Sequence, residues 1–330
     1  MLFRVRTHNV KYENLEKAKK LLINLDENID TVKELDLSHN TYYPPVFINI
    51  VKICNNMFKL KKINCESILS CLTLDDMIAI CKAMHKHLPR TIKHLNMSAN
   101  ALSCNIPDEF VSFIGECNDL EHLNLYNCGL GHEGIVKILR GLEGKCPKLK
   151  YLNIGKNRIN ILNSELGKII NGFKELKTFR MAHNTVSEGF DEFLNELTQN
   201  FTELDITDNF IEESDGLRKV IEGSELKELH IRDIKTDDMS AILDAILIHR
   251  KLEILDIAQN DMFEEGDLLK IIKIVENNQL KKLFIYDNFY ETEFITQYDT
   301  LRDKMLYRGK FIDDDPALLE EVIYEKLSRI

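Results

Sequence analysis

Three glycines in one stretch of the sequence have the spacing of a dinucleotide-binding turn. Gly129, Gly131 and Gly134 spell G-x-G-x-x-G, after a strand-like run at 123–125 and before a helix-like run. Such glycines let a backbone approach a pyrophosphate at the start of a helix. A site of this kind also requires an acidic residue at the end of a second strand roughly 20 residues later. The stretch GKCPKLKYLNIG offers none there, so the glycines favour a tight left-handed turn, and we expect no bound cofactor.

A second set of residues could ligate a metal ion. Cys81, His85 and His87 occur together in CKAMHKH. Only Cys81 and His85 would share a helix face, and no further ligand set follows, so an exposed helix end is the better interpretation. The sequence contains no G-x-S-x-G, HExxH, P-loop or kinase signature. These observations favour a protein that is not an enzyme.

A nine-residue frame, L-x-x-L-x-L-x-x-N, recurs along most of the chain. Its first copy is VKELDLSHN, and ten copies begin at residues 32, 60, 92, 120, 149, 176, 201, 226, 252 and 280. The alternating apolar residues predict a short strand, and a second apolar pattern at helical spacing follows each copy. One strand–helix unit cannot bury its apolar side alone, whereas stacked units bury it against each other.

This frame resembles the leucine-rich repeat family over about residues 32–290, and its 25–32-residue spacing resembles the ribonuclease-inhibitor-like class. The resemblance implies an α/β horseshoe-like solenoid of about ten repeats plus terminal caps. The parallel sheet would line the concave face and the helices the convex face. The resemblance also implies that each frame asparagine bonds backbone groups of the turn that leaves the strand. Cys128 takes this position in one repeat. Ile68 and Ile234 cannot form such bonds, so we expect their turns to be looser or rebuilt.

The two ends of the chain differ from the repeats and predict caps. Residues 1–31 contain the strand-like FRVR and a helix with one apolar face. Residues 291–330 leave the frame, and Asp315 and Pro316 suit the start of a C-terminal helix. The apolar stripe of that helix would consist of Leu319, Val322, Ile323 and Leu327.

Composition limits the classes of partner and the compartment. The net charge is −11 without a dense basic block, which argues against nucleic acid and against an anionic membrane surface. The eight cysteines form no C-x-x-C pair, so we expect reduced thiols in a cytoplasmic protein. We expect no membrane span and no secretory signal peptide, because the chain lacks the apolar runs that both require. The free protein is expected to be monomeric.

Positions three, five and seven of the frame should point off the sheet on the side away from the core, where a partner could bind. Aromatic and arginine side chains there are typical interface anchors. We expect an amphipathic patch in the early repeats, a charged stretch, and an exposed apolar patch of Ile254, Phe284 and Tyr286. The predicted protein-binding residues are His94, His122, Tyr126, Tyr151, Arg180, Glu203, Asp205, Glu228, His230, Arg232, Asp256, Phe284 and Tyr286. Two plainer alternatives remain: aromatic residues favour strands without any partner, and the run from Asn64 to Asn153 could be an amide ladder that serves the sheet alone.

The family resemblance implies a non-catalytic module that binds another protein on its concave face, such as an enzyme that it inhibits or scaffolds. Abundant Lys, Asn and Ile, absent Trp and irregular repeats resemble the leucine-rich repeat effectors of intracellular bacterial pathogens. The terminal PALLEEVIYEKLSRI is similar to type IV translocation signals, which would imply delivery into the host cytosol. One alternative is a structural adaptor that uses its convex helices. Another is a ubiquitin-pathway effector, since Cys117-Asn118-Asp119 matches a catalytic C-x-D, although it lies in an inter-repeat turn without a separate domain.

Overall fold

The structure is a computed structural model that describes residues 1–260, 262, 265–278, 280–288, 301 and 310–312. The chain divides into two compact units. Unit 1 comprises Met1–Ile159 and Ile169–Leu176, and unit 2 comprises Asn160–Lys168 and Lys177–Ile330. Each unit is built from the same strand–turn–helix repeat and is described by itself below.

Unit 1 contains short strands and five helices among its described residues. The strands are β1 (Leu2–Arg4), β2 (Lys11–Tyr12), β3 (Glu34–Asp36), β4 (Thr41–Tyr42), β5 (Lys62–Asn64), β6 (His94–Asn96), β7 (His122–Asn124) and β8 (Tyr151–Asn153). The helices are α1 (Leu15–Glu27), α2 (Pro44–Cys54), α3 (Leu74–His87), α4 (Asp108–Glu116) and α5 (Gly131–Leu142). The helices α1 to α5 pack against one another in chain order. The division between the units falls within α6 (Ser164–Ile170).

Unit 2 repeats the same alternation of strands and helices. Its strands are β9 (Thr178–Arg180), β10 (Glu203–Asp205), β11 (Glu228–His230), β12 (Ile254–Asp256), β13 (Lys282–Phe284) and β14 (Lys310–Ile312). Its helices are α7 (Phe190–Glu196), α8 (Ser214–Glu222), α9 (Met239–Ile246) and α10 (Glu265–Asn277). The predicted α/β leucine-rich repeat fold is therefore confirmed in both units.

The strands pair in parallel, and the register aligns the same frame position in neighbouring repeats. In unit 1 the order is β1, β3, β5, β6, β7 and β8, and β2 pairs separately with β4. In unit 2 the order is β9 to β14. For example, Leu95 lies opposite Leu123, and Leu229 lies opposite Leu255. This register turns each frame position into a column of side chains across the sheet.

The fourth frame position supplies one complete apolar column of the core in each unit. Every member of this column is no more than 3% exposed. The members are Leu35, Ile63, Leu95, Leu123 and Leu152 in unit 1, and Phe179, Leu204, Leu229, Leu255 and Leu283 in unit 2. Burial of one such side chain stabilises the fold by about 1.5–3 kcal/mol. The helices cover the same side of the sheet with buried residues such as Ile138 and Leu142 of α5.

The turn after each strand has the same backbone conformation in all ten copies of the frame. The eighth residue is left-handed, with φ between 53° and 58°, although none of the ten is glycine. The next residue, asparagine in most copies, stabilises this conformation, as the family resemblance implied. In the third copy Asn100 makes five buried hydrogen bonds: Nδ2 donates to the carbonyls of Cys65 (2.7 Å), Met97 (2.8 Å) and Ser98 (3.2 Å), and Oδ1 accepts from the backbone N–H of Ile68 and Leu69 (2.9 Å each). Each asparagine thus joins its own turn to the turn of the preceding repeat.

The prediction of looser turns at Ile68 and Ile234 is wrong. The residues before them, Ser67 and Asp233, keep the left-handed φ of the other copies, at 54° and 53°. The reason is that the asparagine of the following repeat still bonds each of these turns. The backbone N–H of Ile68 donates to Asn100 Oδ1, and that of Ile234 donates to Asn260 Oδ1 at 3.0 Å. In the Cys128 repeat, the thiol donates to the Met97 carbonyl at 3.1 Å in place of the amide.

The G-x-G-x-x-G stretch is one of these turns. Gly129 and Gly131 have φ of +65° and +61°, so both use the left-handed region that the sequence predicted. Gly134 lies in α5, where an added Cβ would come within 3.3 Å of Cys104 Cα, so it permits close packing instead. The backbone N–H groups of Leu130 and Gly131 donate to Asn157 of the next repeat, through its side-chain and backbone oxygens respectively. These donors are therefore engaged within the sheet rather than aimed at a phosphate.

The sheet continues beyond the ten copies at both ends. β1 pairs with β3, which confirms the strand expected near FRVR, and α1 follows with Ala18 and Leu25 fully buried. β14 pairs in register with β13, so one further strand forms within the predicted C-terminal cap. The remainder of that cap, including the expected helix after Asp315 and Pro316 and its apolar stripe, lies outside the described residues.

Replacing the inter-repeat asparagine should destabilise unit 1. We expect Asn100→Ala to lower the free energy of unfolding by about 3 kcal/mol, because it removes five buried hydrogen bonds and leaves the N–H groups of Ile68 and Leu69 without the oxygen they bond. Asn49→Ala is the matched control, since that side chain makes one exposed hydrogen bond within α2; its effect should stay below about 0.5 kcal/mol. Urea unfolding followed by circular dichroism measures both. Equal effects of the two substitutions would contradict the role assigned to Asn100.

Candidate protein-binding face

The candidate face is the side of the sheet that carries frame positions three, five and seven, and we call it the strand face. Within each unit the in-register pairing places side chains of the same position in columns, with about 4.8 Å between neighbouring strands. Every predicted binding residue occupies one of these three positions. The columns have different chemistry in the two units, so the faces are treated separately.

In unit 1 the third position forms a stack of aromatic rings, which we call the aromatic stack. The His94 and His122 rings lie 4.1 Å apart between centroids at 16°. The His122 and Tyr151 rings lie 5.5 Å apart at 20°. Strands β6, β7 and β8 hold the three residues directly opposite one another. The structure thus brings together three of the four binding residues predicted for this part of the chain.

The two histidines of the aromatic stack are neutral at physiological pH. Burial lowers the pKa of His94 to about 4, with further lowering by His122, Lys62 and Lys93. Burial also lowers the pKa of His122. A neutral imidazole stacks on its neighbour without the repulsion that two charged rings would suffer. The stack therefore presents a polar but uncharged aromatic surface.

The fifth position forms a column of amides and one carboxylate beside the aromatic stack. Asn96 Nδ2 donates to Asn64 Oδ1 at 2.9 Å, and Asn64 Nδ2 donates to Asp36 Oδ1 at 3.2 Å. Each Oδ1 also accepts the backbone N–H two residues later, as at Asn124. The ladder continues less regularly at β7, since Asn124 Nδ2 and His122 Nδ1 make no hydrogen bond with the described residues. The amide ladder considered from the sequence is therefore present from Asp36 to Asn96.

Tyr126 borders this column from the seventh position. Its neighbours in the same column are Ser98 and Gly155, both small, and its own ring is partly exposed. The Tyr126 backbone N–H donates to Asn124 Oδ1 at 3.0 Å, which orients the residue at the end of β7. The aromatic stack and Tyr126 therefore flank the amide column on opposite sides.

In unit 2 the strand face is charged, and the charges are paired with one another. Arg180 Nε donates to Glu203 Oε1 at 2.7 Å, and Nη2 of the same guanidinium bonds the same oxygen. Both side chains are at least 85% buried. The fifth position then alternates in sign along neighbouring strands, from Arg180 to Asp205, His230 and Asp256. Arg180 is thus held by the protein itself and is not the freely exposed anchor that the sequence suggested.

His230 is the centre of this charged network. Its Nδ1 lies 3.8 Å from Asp256 Oδ2, and its Nε2 lies 4.0 Å from Glu228 Oε2. Burial by itself would lower the pKa of His230, but the carboxylates of Asp256, Glu228 and Asp205 outweigh burial and raise it to about 9. His230 is therefore protonated at neutral pH, in contrast to the histidines of unit 1.

The prediction of an exposed apolar patch at Ile254, Phe284 and Tyr286 is wrong. These residues form a buried cluster with Ala258, and their exposed fractions are 9%, 2% and 6%. The small Ala258 lies directly before Tyr286 in the seventh-position column, and the Tyr286 ring extends across the sheet instead of away from it. Its hydroxyl accepts a hydrogen bond from Arg232 Nη1 at 2.7 Å, 54 residues earlier.

Two more predicted contact residues are less exposed than their positions suggested. Tyr151 is 5% exposed and Asp256 is 3% exposed. The His122 ring stacks on Tyr151, and Asp256 lies in register between His230 and Phe284. The partly exposed members of the predicted set are His94, His122, Tyr126, Arg180, Glu203, Asp205, Glu228, His230 and Arg232.

Other candidate chemistry from the sequence belongs to the core or to ion pairs. Cys117 of the C-x-D motif is 1% exposed, and burial raises the pKa of its thiol to about 12, which makes it a poor nucleophile. Cys81 is buried, whereas His85 lies 3.2 Å from Glu116 Oε1. Among the described residues, no group of three or more His, Cys, Asp and Glu side chains is arranged to hold a metal ion. No helix in the described ranges is long and apolar enough for a membrane span.

The second frame position was missed by the sequence interpretation, which read only positions three, five and seven. Glu121 at this position accepts from Lys93 Nζ at 2.6 Å and from Lys150 Nζ at 3.0 Å. These hydrogen bonds lower the pKa of Glu121 to about 2. Reading the second position along the first five copies of the frame would have shown a lysine column interrupted by this glutamate.

The charge on His230 should make stability depend on alkaline pH. Its folded pKa of about 9 exceeds the unfolded value of about 6.5, so its contribution is complete below pH 6.5 and is lost as the pH rises through 9. We expect His230→Gln to lower the free energy of unfolding at pH 6 by on the order of 2 kcal/mol and to flatten the decline towards pH 9. Urea unfolding at several pH values measures both effects.

The control for this experiment is His94→Gln. Because the pKa of His94 is lowered to about 4, protonation of His94 changes the free energy of unfolding only between pH 6.5 and 4. The decline of the free energy of unfolding towards pH 9 should therefore be the same in this variant and in the unmodified protein. If His230→Gln shows the same decline towards pH 9 as the unmodified protein, the carboxylates do not hold a proton on His230.

Comparisons with known proteins agree with the repeat architecture. The family described as Leucine Rich repeat matches residues 116–139, which include β7 and most of α5. FERM domain-containing protein C of Dictyostelium discoideum is 30% identical over 139 residues, which cover 40% of this chain and 9% of that protein. Protein CARMIL of the same organism is 25% identical over 205 residues, which cover 62% of this chain and 18% of that protein. The chain thus spans less than a fifth of the length of these relatives.

A solved structure has the same fold. An internalin (inlF) from Listeria monocytogenes aligns with a TM-score of 0.51 at 15% identity, over 86% of this chain and 81% of that chain. At this identity the similarity concerns the fold alone. Repeat folds of this kind present extended surfaces that are used for binding. The chain accordingly has a leucine-rich repeat fold, and parts of it are similar to much longer proteins.

Proposed function

We propose that this chain is a non-catalytic protein-binding module whose partner contacts the strand face of unit 1. The observation that carries the proposal is the aromatic stack of His94, His122 and Tyr151 beside the partly exposed Tyr126. Tyrosine and histidine present flat apolar area and polar edges on a rigid sheet, at little cost in side-chain entropy. Such pre-organised aromatic surfaces are typical binding hot spots.

The polar groups of β7 give a second reason to place the contact here. His122 Nδ1 and Asn124 Nδ2 make no hydrogen bond with the described residues. Buried polar groups without partners cost about 1–3 kcal/mol each. Because both atoms are buried, a polar group of the partner would recover part of this cost by displacing the side chains that cover them.

The charged network of unit 2 is proposed to select the partner by charge and not to anchor it. Arg180, Glu203 and Arg232 are already engaged within the chain. Truncating one of them would leave the opposite charge buried, so its loss would destabilise the fold as well as any contact. The partner is proposed to be another protein, such as an enzyme that the module inhibits or scaffolds.

A structural adaptor that binds through its helices is the competing proposal. It places the contact on the opposite side of the repeats, where side chains such as Glu133 of α5 are exposed. A catalytic function receives less support, because the buried thiols have raised pKa values and the turn amides are bonded within the sheet. The two binding proposals differ in which substitutions affect the partner.

Substitution of Tyr126 should separate the two binding proposals. We expect Tyr126→Ala to weaken partner binding by about tenfold or more, as loss of an interface hot spot does, and to leave folding intact. Cross-linking and mass spectrometry identify the partner, and surface plasmon resonance with the purified partner gives the affinity. Glu133→Ala on the helix side is the control and should change the affinity by less than about twofold. Loss of binding in Glu133→Ala alone would favour the adaptor.

A finer proposal is that the module is a translocated bacterial effector that acts in the host cytosol. It rests on abundant Lys, Asn and Ile, absent Trp and the irregular repeats. The terminal PALLEEVIYEKLSRI, proposed as a translocation signal, lies outside the described residues. The ubiquitin-pathway version has less support, because the Cys117 thiol is buried.

The effector proposal predicts export of the chain into host cells. A translocation reporter fused to its N-terminus should give a signal in cells infected by bacteria with an intact type IV secretion system. A strain with an inactive system is the control and should give none. Equal signals from both strains, or no signal from either, would contradict translocation and leave the protein-binding proposal standing.

A further inference from the structure

The charge of the chain is distributed very unevenly. Residues 1–159, which make up most of unit 1, contain 22 Lys and Arg against 17 Asp and Glu, a net charge of +5. Residues 160–330 contain 21 Lys and Arg against 37 Asp and Glu, a net charge of −16. The overall value of −11 therefore conceals a basic first part. Such asymmetry indicates a partner or surface of specific charge.

The basic residues of unit 1 include a column at the amino edge of its sheet. The second frame position of each repeat donates its backbone N–H to the carbonyl of the same position in the preceding repeat. These bonds run from Lys61 to Lys33 (2.8 Å), Lys93 to Lys61 (2.7 Å), Glu121 to Lys93 (2.8 Å) and Lys150 to Glu121 (2.8 Å). The five side chains therefore start from successive rungs of one ladder.

One half of this column is paired within the chain. Glu121 lies between Lys93 and Lys150 and bonds both ammonium groups, at 2.6 and 3.0 Å. The bonds lower the pKa of Glu121 to about 2, so it stays ionised. Both ammonium groups at this end are therefore paired within the chain, although they share one carboxylate and keep a net charge of +1.

The other half is not neutralised. Lys33, Lys59 and Lys61 make no ion pair with the residues that the structure describes; Lys33 and Lys59 are exposed, and Lys61 is partly exposed. Lys62 beside them pairs with Glu34 at 3.6 Å. Like charges on neighbouring rungs repel, and core packing does not require lysine at these surface positions. Lys59 lies in the turn before Leu60 and is not one of the rungs, so we call Lys33 and Lys61 the lysine ladder.

We propose that the lysine ladder binds an acidic segment of the protein partner. The inference rests on the proposed function and adds the chemistry of the partner. The ladder continues along the amino edge towards Lys62, which pairs in register with His94 of the aromatic stack. An extended peptide with several carboxylates can therefore contact the ladder and the stack together. The acidic second part of the chain repels such a peptide and directs it to unit 1.

The size of the ladder favours a peptide over other polyanions. Its rungs are about 4.8 Å apart, the spacing of neighbouring strands, which suits a few acidic residues. Binding to anionic lipid usually requires about 4–8 basic residues in a cluster, and nucleic acid requires a longer basic stripe. The corresponding column of unit 2 consists of Lys177, Thr202, Lys227, Glu253 and Lys281, so neutral and acidic residues interrupt it.

The test uses charge reversal at the ladder with a matched control in unit 2. The double variant Lys33→Glu/Lys61→Glu changes two rungs of the ladder, and Lys177→Glu/Lys227→Glu changes the same frame positions in unit 2. Fluorescence anisotropy with a fluorescein-labelled oligoglutamate peptide at low salt measures binding by the full chain. We expect the ladder variant to bind about tenfold or more weakly than the unmodified protein. The control should stay within about twofold, and circular dichroism should show both variants folded.

The same variants are then measured against the captured protein partner. The inference is supported if the ladder variant loses about tenfold or more in affinity and the loss shrinks at high salt. If the ladder variant retains full affinity while Tyr126→Ala loses it, the lysine inference is overturned and the proposed function stands. If neither variant loses affinity, the proposed function fails as well.

Three further outcomes would overturn the acidic-segment inference. In the first, the chain binds phosphatidylserine vesicles through the ladder and does not bind oligoglutamate. In the second, it binds polyuridine through the ladder and does not bind oligoglutamate. The third is self-association of the unmodified chain in sedimentation velocity that the ladder variant abolishes, since that would make a second copy the occupant. Each result would assign the lysines to a different binding partner.

Discussion

The buried asparagine at the ninth frame position is the contact on which the rest of the structure depends. Its amide donates to carbonyls of its own turn and of the preceding repeat, and its oxygen accepts backbone N–H groups of that preceding turn. One side chain therefore satisfies several buried backbone groups that would otherwise cost free energy. It also holds two repeats at one spacing. Because each turn is stabilised by its neighbour, a repeat without the asparagine still adopts the common conformation.

This constraint is what makes the strand face a set of columns. Once the repeats share one register, each frame position meets the same position of the next strand, and the identity of the side chains decides what the column does. The histidines show the result most clearly. His94 is half-buried beside another histidine and lysines, and burial above all lowers its pKa to about 4, whereas His230 lies among carboxylates and keeps its proton to about pH 9. The same residue type is thus neutral on one face and cationic on the other.

The arrangement suits recognition better than bond chemistry. The strand face of unit 1 offers stacked rings, a Tyr126 side chain and two polar atoms that are unsatisfied within the described residues. The strand face of unit 2 offers charges that are mostly compensated by each other. The thiols that could act as nucleophiles are buried in the core with raised pKa values. A partner would therefore bind a surface that is already formed, and little ordering of the chain would oppose association.

The sequence by itself determined the repeat length, the positions of the strands and the apolar column at positions such as Leu95 and Leu229. These follow from local periodicity, because alternation and helical spacing decide which side of each element is apolar. The left-handed turn at Gly129 and Gly131 was also readable, since glycine adopts that conformation without strain. The roles of single side chains on the strand face were much harder to predict from the sequence.

Only the tertiary structure decided which of those side chains are engaged. Arg180 bonds Glu203 from the next repeat, and Arg232 reaches Tyr286 across 54 residues, past the small Ala258. Burial of Phe284 and the intact turn at Ile68 also depend on neighbours in space. Frame position specifies the column to which a side chain belongs. Its exposure and its charge depend on the rotamers and charges of adjacent columns, which are brought together only when the repeats stack.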